Sequence, residues 1–92
     1  MTQIVLRVEI RGRVQGVGYR WSLAEQANLI GVRGWVRNRR YGCVEATLAG
    51  THGDVDRLMA WARRGPDAAA VDSVEVFDAE GDFTTFEQLP TV

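Results

Sequence analysis

Residues 34–50 of the chain are GWVRNRRYGCVEATLAG, and this stretch predicts the hairpin at the centre of the fold. Residues 32–38 are rich in branched and aromatic side chains, which are typical of a strand. Apolar and polar residues then alternate over 43–48, with the period of a half-buried strand. Because only residues 39–42 separate the two segments, they are expected to pair as an antiparallel hairpin.

A strand, a loop and a helix are predicted upstream of this hairpin. Apolar and polar residues alternate over 4–11, which indicates a half-buried strand. Residues 12–18, GRVQGVG, contain three glycines and predict a loop. Apolar residues then recur at helical spacing over 19–30, and Gly31 follows as a left-handed C-terminal cap.

Downstream of the hairpin, the pattern predicts a second helix and a fourth strand. Apolar residues recur at helical spacing over 53–64, at Val55, Leu58, Met59 and Ala62. A strand is predicted around 74–76, and residues 83–89 are a candidate for a short last one. The order βαββαβ predicts an α+β, ferredoxin-like sandwich, in which an antiparallel sheet carries both helices on one face. One domain is expected to span residues 1–92.

Charge is divided unevenly along a chain whose net charge is −1. Residues 7–40 hold eight arginines and two glutamates, giving +6, and residues 41–92 hold three arginines and ten acidic residues, giving −7. This division suggests an anion-binding face in the first half, although scattered solvated arginines would give the same count. The N-terminus has neither a signal-peptide pattern nor a membrane span, which favours a cytoplasmic protein.

Residues 12–18 lie between a predicted strand and a predicted helix, where backbone N–H groups can converge on an anion. Arg20 follows directly, and its guanidinium can bind a phosphate through two hydrogen bonds. The spacing fits neither a Walker A loop nor a dinucleotide-binding fingerprint, so one small anion is expected. The alternative is a turn in which the glycines serve only the bend.

Asn38 ends the predicted second strand, where its amide can serve turn geometry or hold a water molecule. No catalytic triad and no metal-ligand cluster can be assembled, because the chain has one cysteine and one histidine. An enzyme with this sequence would need a reaction that requires neither a strong general base nor a metal. Of the three tryptophans, at least two are expected to be core residues.

Two segments together resemble the acylphosphatase family. Residues 12–20, GRVQGVGYR, are similar to its first signature, and residues 34–50 are similar to its second. The aliphatic-Gly-aliphatic step at residues 30–32 also matches. Tyr19 is the main departure, because the family more often has phenylalanine there.

The resemblance implies a metal-independent hydrolase that cleaves the carboxyl–phosphate bond of acyl phosphates to carboxylate and inorganic phosphate, with no cofactor. It makes Arg20 and Asn38 the catalytic residues, with Asn38 orienting the nucleophilic water. The phosphate-binding loop that it implies runs over residues 15–20 and consists of Gln15, Gly16, Val17, Gly18, Tyr19 and Arg20. Its partners would be small-molecule acyl phosphates and inorganic phosphate, without nucleic acid or membrane, and a monomer is expected.

Two other functions on the same fold remain open at this point. An RNA-recognition sheet would carry alternating aromatic residues on a basic strand. Residues 33–36 resemble the start of that pattern, but residues 37–38 break it, and the acidic pI near 5.7 argues against it. A non-catalytic interaction module derived from an acylphosphatase is the second alternative, and the presence of both Arg20 and Asn38 argues against it.

Overall fold

The computed structural model describes residues 2–92, which form two helices and one five-stranded sheet. In chain order the elements are β1 (Gln3–Arg13), α1 (Tyr19–Ile30), β2 (Arg33–Asn38), β3 (Val44–Thr51), α2 (His52–Arg64), β4 (Ala70–Asp78) and β5 (Phe86–Gln88). The first helix has the predicted bounds, and Gly31 is its left-handed C-terminal cap (φ 99°, ψ 19°). The ferredoxin-like α+β fold is confirmed.

The sheet has the strand order β4-β1-β3-β2-β5. Neighbours among the first four strands are antiparallel, as predicted, and Asn38 of β2 pairs with Val44 of β3 across the hairpin. The short fifth strand differs, because it pairs with β2 in parallel and makes the sheet mixed. Its direction follows from the connection after β4, which carries the chain from one sheet edge to the other.

Both helices cover the same face of the sheet and contact each other. Val8 and Ile10 of β1 are fully buried beneath the helices, whereas Arg7 before Val8 and Glu9 after it lie on the open face. The predicted apolar face of α2 is confirmed, since its buried residues are Val55, Leu58, Met59 and Ala62. The sandwich therefore has one apolar layer, and one sheet face remains open.

The predicted loop over residues 12–18 is shorter in the structure, because β1 continues to Arg13. A register shift between Arg11 and Gly12 marks an irregularity in the pairing with β4. Gly12 has φ +128°, and a Cβ there would lie 2.3 Å from the carbonyl oxygen of Ala70. This glycine therefore permits a close approach of two strands, and the loop itself begins at Val14.

The expectation that at least two tryptophans are core residues is wrong, because none of the three is fully buried. Trp61 is partly buried against the core and packs on Tyr19 with ring centroids 5.6 Å apart. Trp35 lies on the open face, with the Arg37 guanidinium 4.8 Å from its ring centroid. Trp21 is 60% exposed on the first turn of α1. Tyr19 takes the buried aromatic position instead.

Candidate active site

A small cleft of ≈ 140 Å³ joins the β1–α1 loop to the ends of two strands. Its walls come from the loop, the first turn of α1, the end of β2 and the last residue of β5. The lining residues are Val14, Gly16, Gly18, Tyr19, Arg20, Trp21, Asn38 and Gln88. Arg20 and Asn38, which the sequence analysis singled out independently, thus lie on one cleft.

The β1–α1 loop holds its backbone N–H groups free. Gly16 and Gly18 have φ of +74° and +78°, a left-handed conformation that glycine adopts without strain. None of the N–H groups of residues 15–21 donates to an acceptor within residues 2–92, and the first helical bond starts at Ser22, which donates to Gly18. No acidic residue occupies the first turn of α1. The loop and the helix terminus therefore present unpaired donors and a positive dipole end.

Arg20 differs from Arg37 and Arg39, whose side chains lie on the open sheet face. Its guanidinium forms no ion pair or hydrogen bond with any residue of the described chain, 2–92. By contrast, Arg37 and Arg39 both donate to Glu45 on the open face, at 2.8 Å and 3.2 Å. Among the residues of the chain 2–92 that line the cleft, Arg20 is also the only charged one. The basic first half of the sequence is thus not one anion-binding face.

Asn38 reaches the cleft because side chains alternate along β2. Arg37 before it and Arg39 after it lie on the open face, whereas Asn38 pairs with the buried Val44. The backbone carbonyl of Asn38 accepts a bond from Val92 N–H at 3.2 Å, which holds the strand end. The Asn38 side chain makes no hydrogen bond within residues 2–92, and its Oδ1 is buried. The amide is therefore uncommitted at the cleft wall.

Two residues of the predicted loop, Gln15 and Val17, do not line the cleft. The Gln15 side chain is absent from the cleft lining and donates to the carbonyl oxygens of Arg39 and Cys43, at 2.7 Å and 3.0 Å. It thereby ties the loop to the turn that follows Asn38. Val17 is partly buried against the core. Gly16, Gly18, Tyr19 and Arg20 do line the cleft.

Tyr19 is a buried link between the two helices. Its hydroxyl donates to the carbonyl oxygen of Ala62 at 2.7 Å, and burial raises the pKa of the phenol. Ala62 lies in the last turn of α2, where carbonyl groups lack helical partners. The resemblance to the acylphosphatases makes phenylalanine the more usual residue at this position. The additional hydroxyl of Tyr19 is accommodated because it donates to a carbonyl oxygen that has no helical partner.

Sequence reasoning missed three residues of the cleft. Val14 is fully buried and forms its floor, and Trp21 follows Arg20 on the exposed side of α1. The position of Trp21 could have been found from its adjacency to Arg20. The position of Gln88 could not, because it depends on the parallel pairing of β5 with β2.

Neither metal-ligand clustering nor membrane-spanning length occurs within residues 2–92. No three His, Cys, Asp or Glu side chains come together there, and neither helix is long and apolar enough to cross a membrane. Fold and cleft together define a ferredoxin-like domain with a loop suited to bind an anion.

Comparison with known proteins identifies the family within this class. The acylphosphatase family model matches residues 6–88. An acylphosphatase of Albidiferax ferrireducens is 51% identical over 87 residues, which cover 95% of each protein. An acylphosphatase structure from Coxiella burnetii has a TM-score of 0.91 at 31% identity and covers 95% of this chain and 93% of its own. One from Bacillus subtilis has a TM-score of 0.89 at 26% identity, with coverage of 96% and 99%. The chain belongs to the acylphosphatase family, and it is a hydrolase that acts on acyl phosphates.

Proposed function

We propose that Arg20 and the backbone N–H groups of residues 15–20 bind the phosphoryl group of the acyl phosphate and that Asn38 orients the attacking water. One observation carries this division of roles. Arg20 and Asn38 line a single small cleft, and neither side chain has a hydrogen-bond partner among residues 2–92.

Phosphoryl binding rests on charge and preorganised donors. The phosphoryl transition state spreads negative charge over its equatorial oxygens, so fixed N–H groups and one guanidinium stabilise it without rearrangement. Arg20 supplies the guanidinium, and the free N–H groups behind Gly16 and Gly18 supply the neutral donors. Since no acidic residue occupies the first turn of α1, no protein carboxylate there competes for them.

The attack of water on the phosphorus depends more on the position of the water than on a strong general base in the protein. The Asn38 amide can accept from one water proton and donate to a second oxygen, which fixes the nucleophile beside the phosphorus. The leaving carboxylate is stable as an anion and needs no protein acid. No Asp, Glu or His is among the residues that line the cleft of the described chain. A phosphoryl oxygen of the substrate therefore accepts the proton of the water.

The protein acts as a single domain and a monomer, in the cytoplasm, and uses no metal, nucleic acid or membrane. The open sheet face gives little support to a nucleic-acid partner, because Glu45 binds Arg7, Arg37 and Arg39 there. A net charge of −1 agrees with this.

A hydrolysis assay tests the activity. Purified protein should hydrolyse benzoyl phosphate in excess EDTA, and inorganic phosphate should inhibit competitively as the product of the same cleft. A requirement for added Mg²⁺ would refute metal independence. Absence of hydrolysis in a folded protein would favour the non-catalytic alternative.

Two substitutions test the separate roles. Arg20→Gln removes the charged donor and should weaken phosphate inhibition by about 10- to 100-fold, the range of a hydrogen bond to a charged group. Asn38→Ala should lower kcat by about two to three orders of magnitude, as when one preorganised polar group is lost. It should leave phosphate inhibition nearly unchanged.

Arg63→Gln is the matched control, because it removes the same charge from the exposed last turn of α2. Its kcat and phosphate inhibition should equal those of the parent protein. Equal loss of phosphate binding in Arg20→Gln and Asn38→Ala would overturn the assignment of separate roles.

A further inference from the structure

Trp21 is an exposed aromatic side chain with no aromatic or cationic partner among residues 2–92. Two other exposed aromatic rings, Tyr41 and Phe77, each have an arginine within 6 Å of the ring centroid: Arg39 at 5.4 Å and Arg7 at 4.4 Å. Trp21 is 60% exposed, and within residues 2–92 it has neither a cation nor an aromatic ring against it. The Trp21 indole is therefore largely exposed to solvent beside Arg20.

The cleft is too small to hold both the phosphoryl group and the acyl group of the substrate. Its volume is ≈ 140 Å³, whereas pockets that enclose a small organic ligand begin at about 300 Å³. The cleft can therefore enclose little more than a tetrahedral phosphoryl head. If Arg20 and the loop hold that head, the acyl group must lie outside the cleft, against its rim.

The rim offers one apolar surface. Gly16 and Gly18 have no side chain, Val14 is only 1% exposed, and Arg20 is charged. On the β5 side the rim residue is Gln88, which is exposed and polar. Of the lining residues, Trp21 alone has a large apolar side chain that an acyl group can reach.

We propose that the Trp21 ring is the acyl-group subsite and that it gives the enzyme a preference for aromatic or extended apolar acyl phosphates over acetyl phosphate. This inference rests on the proposed function, because the phosphoryl end must be held by Arg20 for the acyl end to lie on Trp21. An aromatic acyl group stacks on the indole face, while an acetyl group is too small to cover it. Trp21 is thus a specificity residue and takes no part in the bond-breaking step.

The test compares two substrates in matched variants. Trp21→Ala should lower kcat/KM for benzoyl phosphate by about three- to tenfold, the range of one aromatic contact, mainly through KM. Acetyl phosphate hydrolysis should stay within about twofold of the parent. Trp21→Phe should retain most of the preference. Leu29→Ala is the control, because it also removes an exposed apolar side chain from α1, 75% exposed and outside the cleft lining.

A second measurement needs no turnover. Benzylphosphonate should inhibit the parent more strongly than methylphosphonate, and Trp21→Ala should abolish that difference without changing inhibition by inorganic phosphate. An unchanged ratio in both measurements would overturn the subsite. An equal loss of kcat/KM with both substrates would also overturn it, because it would mean that Trp21 supports the conformation of the loop and does not bind the acyl group. Acetyl phosphate hydrolysis by the parent reports on the proposed function separately.

Discussion

Glu45 forms ion pairs with arginines of the open sheet face. Substituting it tests how much these ion pairs contribute to the stability of the fold. Its carboxylate lies 3.2 Å from Arg7, 2.8 Å from Arg37 and 3.2 Å from Arg39, and its side chain is only 10% exposed. Glu45→Gln keeps the shape but removes the charge. It also turns an amide N–H₂ toward guanidinium groups that can only donate.

The expected loss follows from the exposure of the partners. Breaking a fully buried ion pair costs about 3–5 kcal/mol, and an exposed pair contributes about 0–1 kcal/mol. The three arginine side chains remain 25–33% exposed, so water can partly solvate them after the change. We expect Glu45→Gln to lower the free energy of unfolding at pH 7 by about 1–3 kcal/mol, which corresponds to about 5–20 °C in Tm for a domain of this size.

The same ion pairs predict a pH dependence. Burial alone would raise the pKa of Glu45, but hydrogen bonds and charges from Arg37 and Arg39 outweigh it and lower the pKa below its ordinary 4.5. A pKa that is lower in the folded state stabilises the fold above the unfolded value and loses that effect as the pH falls through the folded pKa. The stability difference between parent and variant should therefore be constant near neutral pH and shrink below about pH 4.5.

Urea unfolding from pH 7 to pH 3 measures both quantities. The matched control is Glu75→Gln, since within residues 2–92 the Glu75 carboxylate forms an ion pair with one arginine, Arg11, at 3.1 Å, and its side chain is 53% exposed. Its cost should stay below about 1 kcal/mol. Stability curves for Glu45→Gln and the parent that run parallel down to pH 3 would refute this account, and so would equal losses in the two variants.

Two further substitutions test the packing that supports the cleft. Tyr19→Phe should cost about 1–1.5 kcal/mol in urea unfolding, because the buried Ala62 carbonyl loses its 2.7 Å bond, while KM stays unchanged; a shift in KM would contradict a purely structural role. Gly34→Ala should cost about 3 kcal/mol or more, because a Cβ would lie 1.8 Å from the Thr47 carbonyl oxygen. Gly16→Ala is its control and should cost only about 1 kcal/mol, because a Cβ there meets nothing within 4 Å and only the positive φ opposes it.

Periodicity predicted the elements because burial here is one-sided. A strand with one face on the core must alternate, and β1 does so from Val8 to Ile10 with Glu9 between them. The amphipathic α2 shows the same logic at helical spacing. The structural roles of the glycines were harder to predict, because the same residue type has different roles at different positions. Gly12 permits close strand packing, whereas Gly16 provides a left-handed loop conformation, and the sequence alone placed both in one loop.

Local sequence patterns could not predict the pairing of strands that are far apart in the sequence. β5 is three residues long, and its parallel partner β2 lies about fifty residues earlier in the chain. No period marks so short a strand, so Gln88 could not be placed at the cleft. The prediction that at least two tryptophans are core residues was wrong for a related reason. Trp35 is partly covered by Arg37 on the open face, which a tendency toward burial does not distinguish from a core position.

The position of Asn38 between two arginines explains why the charge of the first half does not crowd the cleft. Alternation along β2 sends Arg37 to one face and Asn38 to the other, and Arg39, the first residue after β2, lies on the same face as Arg37. Glu45, opposite Arg37 on β3, then binds both guanidinium groups. Arg20 is left as the sole charged residue that lines the cleft within the described chain. A phosphoryl group bound as proposed would thus meet one guanidinium at a defined position, and a shift of β2 by one residue would exchange Asn38 for an arginine.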